Sequence, residues 1–122
     1  MRFARVVFAV AGILGLLILV PGFFAIDMIG RQFPPAVTHP DYYYGFLCMT
    51  VAWQIAFLVI AADPVRYRPM MPLAMLEKFP YVMMLLVLYA RGQLAVAQLA
   101  AVVIDGTLGL LFVVAYFKTG RS

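Results

Sequence analysis

The stretch LAVAQLAAVVIDGTLGLLFVVAYF, residues 94–117, contains a single charged side chain, that of Asp105. As an α-helix rising 1.5 Å per residue, it would be about 36 Å long, which exceeds the roughly 30 Å hydrocarbon core of a bilayer. The stretch therefore predicts a transmembrane helix that carries one acidic residue near its centre.

Three further apolar blocks, each long enough to span a bilayer as a helix, occupy residues 3–26, 42–62 and 70–90. The third block must include Glu77 and Lys78, because its purely apolar part, residues 79–90, is too short to cross a bilayer alone. We predict an all-α protein, an integral membrane four-helix bundle with helices at about 3–26, 42–62, 70–90 and 94–117, forming one domain over residues 1–122.

Composition supports a lipid environment. Hydrophobic residues make up 66% of the chain and charged residues 11%, against roughly 45 to 50% and 25% in soluble domains. The lipid bilayer is thus a predicted partner. Of the nine Lys and Arg residues, all but Lys78 stand singly or in pairs at the ends of apolar blocks, which argues against nucleic acid as a partner. One cysteine excludes an internal disulfide, and one histidine, His39, cannot ligate a haem from both sides. We predict no cofactor and no metal.

Prolines and acidic residues suggest where the helices end. Asp41 is a plausible N-cap for the second helix, which should stop before Asp63-Pro64. Pro21 predicts a kink near the end of the first helix, and Pro80 predicts a bend beside Glu77. The proline-containing loop 27–41 should lie in water and should not be helical throughout.

Orientation can be predicted from the basic residues, because cytoplasmic loops are enriched in Lys and Arg. Six lie on the side of the termini (Arg2, Arg5, Arg66, Arg68, Lys118 and Arg121), and Arg31 and Arg91 lie on the other. We therefore expect both termini to be cytoplasmic.

Polar residues at similar depth predict a candidate site. Asp105, Gln54 and Tyr81 each lie about 16 to 18 Å from a membrane surface if counted along their helices. Gln98 shares a helix face with Asp105, and Glu77 lies one turn from Tyr81. We predict a midplane polar cluster of Asp105, Glu77, Gln54, Tyr81 and Gln98, acting as a ligand-binding or functional site.

A structural role is the alternative for these residues, because buried polar side chains also join transmembrane helices through hydrogen bonds. Asp105 is the strongest functional candidate, since its charge costs the most to bury. For Lys78 we expect a structural role, with the long side chain extending toward cytoplasmic headgroups. Adjacent helical residues do not face each other, so we expect poor pairing with Glu77.

The arrangement of four short helices, with a cytoplasmic N-terminus and a first helix in which Gly12 follows Arg5 by seven residues, resembles the DoxX-like small bacterial membrane proteins. This resemblance covers the whole chain and implies a multi-pass protein of the bacterial cytoplasmic (inner) membrane. Residues 46–48 and 54–57, Phe-Leu-Cys and Gln-Ile-Ala-Phe, resemble the second helix of the EXPERA group of sterol-binding and isomerase proteins. Thr50 stands where that group has an acid.

Three classes of function remain open. The favoured class is a non-enzymatic binder of a hydrophobic molecule or of a partner membrane subunit. An EXPERA-like membrane enzyme, or a sterol- or lipid-binding protein, would use Asp105 and Glu77, with a carboxyl group as general acid or base in the enzyme. A small proton-coupled transporter is the third class. The catalytic residues and the ligand are not identified by the sequence, and a homo-oligomer stays open.

Overall fold

Helices account for nearly all of the described chain. The computed structural model describes residues 2–32, 38–94 and 96–119. The α-helices are α1 (Arg2–Leu19), α2 (Ile26–Gln32), α3 (Pro40–Ala62), α4 (Met71–Ala90) and α5 (Leu99–Lys118), with 3-10 turns at Val20–Phe24, Arg68–Met70 and Val96–Gln98. Arg121, one of the residues behind the predicted orientation, lies outside the described residues, as do Pro34 and Pro35 of the first loop.

The described residues include four helical segments long and apolar enough to cross a membrane: Arg2–Phe24, Pro40–Ala62, Arg68–Ala90 and Leu99–Lys118. The prediction of four such segments is confirmed, including the placement of Glu77 and Lys78 within the third. The last α-helix starts at Leu99 instead of residue 94, because a 3-10 turn occupies the preceding three residues.

The end of the first segment departs from regular α-helix at the predicted proline. Pro21 has no N–H to donate, and residues Val20–Phe24 form a 3-10 turn. The Tyr43 hydroxyl donates to the Gly22 carbonyl at 2.7 Å. A Cβ on Gly22 would lie 3.2 Å from the Leu47 side chain. This close approach fixes the turn against α3. The loop beyond it contains the short helix α2.

The start of α3 differs from the prediction that Asp41 would be its N-cap. His39 occupies that position and makes no side-chain capping bond, while Pro40 begins the helix and Asp41 lies in its first turn. Proline suits the first helical position because its fixed φ matches the helix and its missing N–H would be unsatisfied there anyway. At the other end, α3 stops at Ala62, as the Asp63-Pro64 pair predicted.

The four long helices pack in a ring. Close contacts join α1 to α3, α4 to α5 and α1 to α5, whereas α3 and α4 approach each other least among these neighbours. Among these neighbouring pairs, the α3–α4 side of the bundle is therefore the most loosely packed.

Three phenylalanines from different helices form the centre of the core. Phe8, Phe57 and Phe112 are fully buried. Phe8 stacks on Phe112 at a centroid distance of 4.4 Å, and Phe57 meets Phe112 edge-on at 5.0 Å. These contacts join α1, α3 and α5 in the half of the bundle near the chain termini.

Basic side chains at that end of the bundle also link the helices. Arg68 donates from Nε to the Tyr116 carbonyl at 3.0 Å, and its guanidinium lies 3.8 Å from the centroid of the Tyr116 ring. Lys118 Nζ lies 4.7 Å from the centroid of the Phe3 ring. The start of α1, the α3–α4 connection and the end of α5 therefore share one end of the bundle.

Candidate functional site

A cavity of about 370 Å³ lies between the four long helices. We call it the central cavity. Its volume falls in the range of about 300 to 1,000 Å³ typical of small-molecule sites. Its wall is formed by Ala11, Leu14, Gly15, Ile18 and Leu19 of α1, Phe46, Thr50 and Gln54 of α3, Glu77, Lys78 and Tyr81 of α4, and Ala101, Ile104, Asp105 and Leu108 of α5. Most of this surface is apolar, and the charged groups lie on the α4 and α5 side.

Lys78 joins α4 to α5 inside the bundle. The residue is 4% exposed, and its Nζ donates to Asp105 Oδ1 at 3.2 Å. The prediction that this side chain extends toward cytoplasmic headgroups is therefore wrong. The physical reason is that an ammonium in a low-dielectric interior is stabilised most by a carboxylate within direct reach.

Glu77 also contributes to this ion cluster, contrary to the expectation that it would pair poorly with its neighbour in sequence. Its Oε2 lies 3.3 Å from Lys78 Nζ, because two long flexible side chains can turn toward each other even though their backbone positions do not share a helix face. The same oxygen is buried and accepts no hydrogen bond from the described residues. Its described contact with Lys78 is therefore that of an ion pair.

Gly109 provides the room for the lysine side chain. A Cβ on Gly109 would lie 3.3 Å from the Cβ of Lys78 and 2.9 Å from carbons of the Phe79 ring. Gly109 is also four residues beyond Asp105 and so shares its face of α5. The close approach of α4 and α5 at this glycine allows Lys78 to extend along α5 toward Asp105.

Gln54 forms the part of the wall opposite the ion cluster. It is 1% exposed, and its Nε2 donates to the Thr50 carbonyl at 2.9 Å. The Thr50 hydroxyl in turn donates to the Phe46 carbonyl. The Gln54 amide lies directly over Gly15, where any Cβ would overlap it. The Thr50 hydroxyl and one N–H of the Gln54 amide therefore donate to the backbone of α3.

Aromatic side chains lie near both ends of the cavity. At the end near the chain termini, Phe57 and Phe112 follow the wall residues Gln54 and Leu108 by about one helical turn and fill the core. Toward the other end, Phe46 and Tyr81 bridge α3 and α4 with ring centroids 6.1 Å apart. These two rings also line a shallow groove with Thr38, His39, Tyr42 and Tyr43. Because α3 and α4 pack least closely, this aromatic pair lies where the cavity wall is most loosely packed.

The structure brings together four of the five predicted cluster residues. Asp105, Glu77, Gln54 and Tyr81 all line the central cavity. Gln98 does not, because it ends the 3-10 turn before α5, about two helical turns from Asp105, and lies outside the described wall. Sequence reasoning missed Lys78. The signal that could have found it is the presence of an acid in the neighbouring transmembrane segment, with a glycine one turn away.

Comparison of the chain with family models, curated proteins and solved structures found no match. The DoxX-like and EXPERA resemblances therefore stay predictions. The helices themselves define the class, a multi-pass α-helical protein with four segments suited to spanning a membrane.

Proposed function

We propose that this chain is a non-enzymatic membrane protein that binds a hydrophobic small molecule in the central cavity. The observation that carries the proposal is the cavity itself, which has mostly apolar walls and a small set of polar groups at one side. Binding sites for small molecules commonly combine a large apolar surface with a few polar groups that fix orientation. A bundle held together only by polar helix contacts would need no space of this size.

Two adjacent alanines of α5 provide a test with a matched control. Ala101 lines the cavity, whereas Ala100 is exposed on the outer surface of the bundle. The protein is extracted gently from its own membrane, and the molecules that accompany it are identified by native mass spectrometry. We expect the wild type and Ala100→Phe to retain a bound small molecule, and Ala101→Phe to lose it because the new ring fills the cavity.

Other outcomes would contradict the proposal. A wild-type chain that carries no small molecule, or equal retention by both phenylalanine variants, would overturn it. A protein partner retained by all of these variants, without a small molecule, would favour the alternative role of a membrane subunit.

A membrane enzyme acting on a lipid-like substrate is a second candidate. The observation that favours it is that Glu77 and Asp105, which could act as acid or base, both reach the cavity wall. Both carboxyl groups lie beside Lys78, so a substrate would have to compete with the lysine for them. A chemically altered form of the accompanying molecule, produced by the wild type but not by Asp105→Asn, would support this candidate.

The proposed location is the bacterial cytoplasmic (inner) membrane, with both termini in the cytoplasm. The clustering of Arg68 and Lys118 at the end of the bundle that holds the start of α1 supports this orientation. Reporter domains fused after residue 122 and inserted after His39 test it. A C-terminal reporter active only in the periplasm should be inactive, and the one after His39 should be active; the reverse pattern would contradict the orientation.

A further inference from the structure

The wall of the central cavity carries more acidic than basic side chains. Glu77 and Asp105 supply two carboxylates, and Lys78 supplies one ammonium that lies within 3.3 Å of both. The other polar residues of the described wall, Thr50, Gln54 and Tyr81, are uncharged side chains. With all three ionisable groups charged, the wall carries one excess negative charge in a mostly apolar space.

Several hydrogen-bond donors of the wall already bond to the protein itself, and the Tyr81 hydroxyl is a further donor on the wall. The Thr50 hydroxyl and the Gln54 amide nitrogen donate to carbonyls of their own helix, and Lys78 donates to Asp105. Glu77 Oε2 is buried and, apart from its ion pair with Lys78, accepts no hydrogen bond from any described residue. A buried acceptor without a donor costs free energy, more so when it is charged. Lys78 is thus the one cation on the described wall for two carboxylates, and with both carboxylates ionised part of the uncompensated negative charge lies at Glu77.

We propose that the central cavity binds an amphipathic amine, whose ammonium lies against Glu77 and whose apolar body lies along the α1 wall. This inference rests on the proposed function and specifies the chemical class of the ligand. An ammonium would supply a second positive charge for the two carboxylates, together with N–H donors to the Glu77 carboxylate. Leu14, Ile18 and Leu19 supply an apolar surface for a hydrocarbon chain. An alcohol would supply a donor without charge, and a carboxylate would add a second excess negative charge.

Three probes with ten carbon atoms each separate these possibilities: decylamine, decanol and decanoate. The full chain is reconstituted in nanodiscs of zwitterionic phosphatidylcholine, and empty nanodiscs correct for partition into lipid. Trp53, the single tryptophan of the chain, packs against Phe57, which follows the wall residue Gln54 by about one helical turn, and its fluorescence provides the binding signal. We expect decylamine to bind about tenfold more tightly than decanol, as one buried ionic contact would give, and decanoate to bind most weakly.

Glu77→Gln tests the assignment of the ammonium position, and Asp27→Asn is its control. Asp27 is an exposed carboxylate on α2, away from the described cavity wall. We expect Glu77→Gln to bind decanol as the wild type does and to lose most of the preference for decylamine, while Asp27→Asn keeps it. Circular dichroism verifies that each variant is folded, and Asp105→Asn replaces Glu77→Gln as the charge-removing variant if the latter does not fold.

The results distinguish this inference from the proposed function. Equal binding of decylamine and decanol, tightest binding of decanoate, or an unchanged amine preference in a folded charge-removing variant would overturn the amine assignment and leave the cavity as a binding site. Failure of all three probes to bind would overturn both.

Discussion

Lys78 Nζ of α4 lies 3.2 Å from Asp105 Oδ1 of α5, and the lysine side chain is 5% exposed. The ion pair therefore connects two transmembrane-length helices within the protein, where solvent screening is weak. It also places the charged groups on one side of a cavity whose other walls are mainly apolar. Stability and ligand binding should consequently depend on the same three residues, Glu77, Lys78 and Asp105.

Replacing Lys78 by methionine should destabilise the bundle. The substitution keeps a long side chain but leaves two carboxylates without their shared cation, and breaking a buried ion pair costs about 3 to 5 kcal/mol. Denaturant unfolding in mild detergent measures the loss in the free energy of unfolding. Lys118→Met is the control, because Lys118 is exposed and should change this free energy much less.

The double variant Lys78→Met with Asp105→Asn should recover part of that loss, because it removes one of the unpaired carboxylates. Residues in direct contact typically show coupling energies of about 0.5 to 3 kcal/mol. The four free energies of unfolding form a double-mutant cycle. Strict additivity would contradict a direct interaction between the two side chains.

Gly109→Val should separate α4 from α5. Its side chain would meet the Phe79 ring and the Lys78 Cβ, and overpacking of this kind costs about 1 to 3 kcal/mol. Gly106→Val introduces the same residue on the same helix, at a position where a Cβ would meet nothing within 4 Å. Thermal unfolding should thus distinguish the two variants, and equal transition temperatures would argue against close packing at Gly109.

Phe112→Ala should remove the centre of the aromatic core, at a cost of about 3 to 5 kcal/mol. Phe112 is fully buried against Phe8 and Phe57. Phe117 lies nearby on α5 and is 76% exposed, so Phe117→Ala should be tolerated. Comparison of the two variants by denaturant unfolding tests this assignment; a similar loss in both would contradict it.

Phe46→Ala should speed the exchange of a bound molecule. The substitution removes one of the two rings that bridge α3 and α4, where the wall of the bundle is most loosely packed. Stopped-flow measurement of Trp53 fluorescence gives the association and dissociation rates of decylamine. Phe24→Ala, at a ring that is 88% exposed, is the control. Unchanged rates in Phe46→Ala would indicate another route of entry.

The four transmembrane-length helices were predictable from the sequence because long apolar segments and proline positions act locally. The end of α3 at Ala62 and the 3-10 turn at Pro21 both follow from residues within a few positions. Counting residues along the helices also predicted that Gln54, Tyr81 and Asp105 lie at a similar level, and all three line the central cavity. The same local reasoning failed at Asp41, because Pro40 begins the helix one residue earlier.

The direction of the Lys78 side chain could not be predicted, because it depends on a contact between α4 and α5, which are separate in sequence. Its ammonium can reach Asp105 because Gly109 allows α4 and α5 to approach closely. Gln98, assigned to the cluster by its spacing from Asp105, ended outside the described cavity wall, since the chain there forms a 3-10 turn before α5.

The sequence alone determined the number of membrane-suited helices and the positions of the polar residues along them, since both depend on distance along one helix. The tertiary structure decided which polar groups meet, where the cavity lies and which side of the bundle is loosely packed. These properties depend on the rotation of each helix about its axis and on its distance from its neighbours, which are set by side chains far apart in the chain.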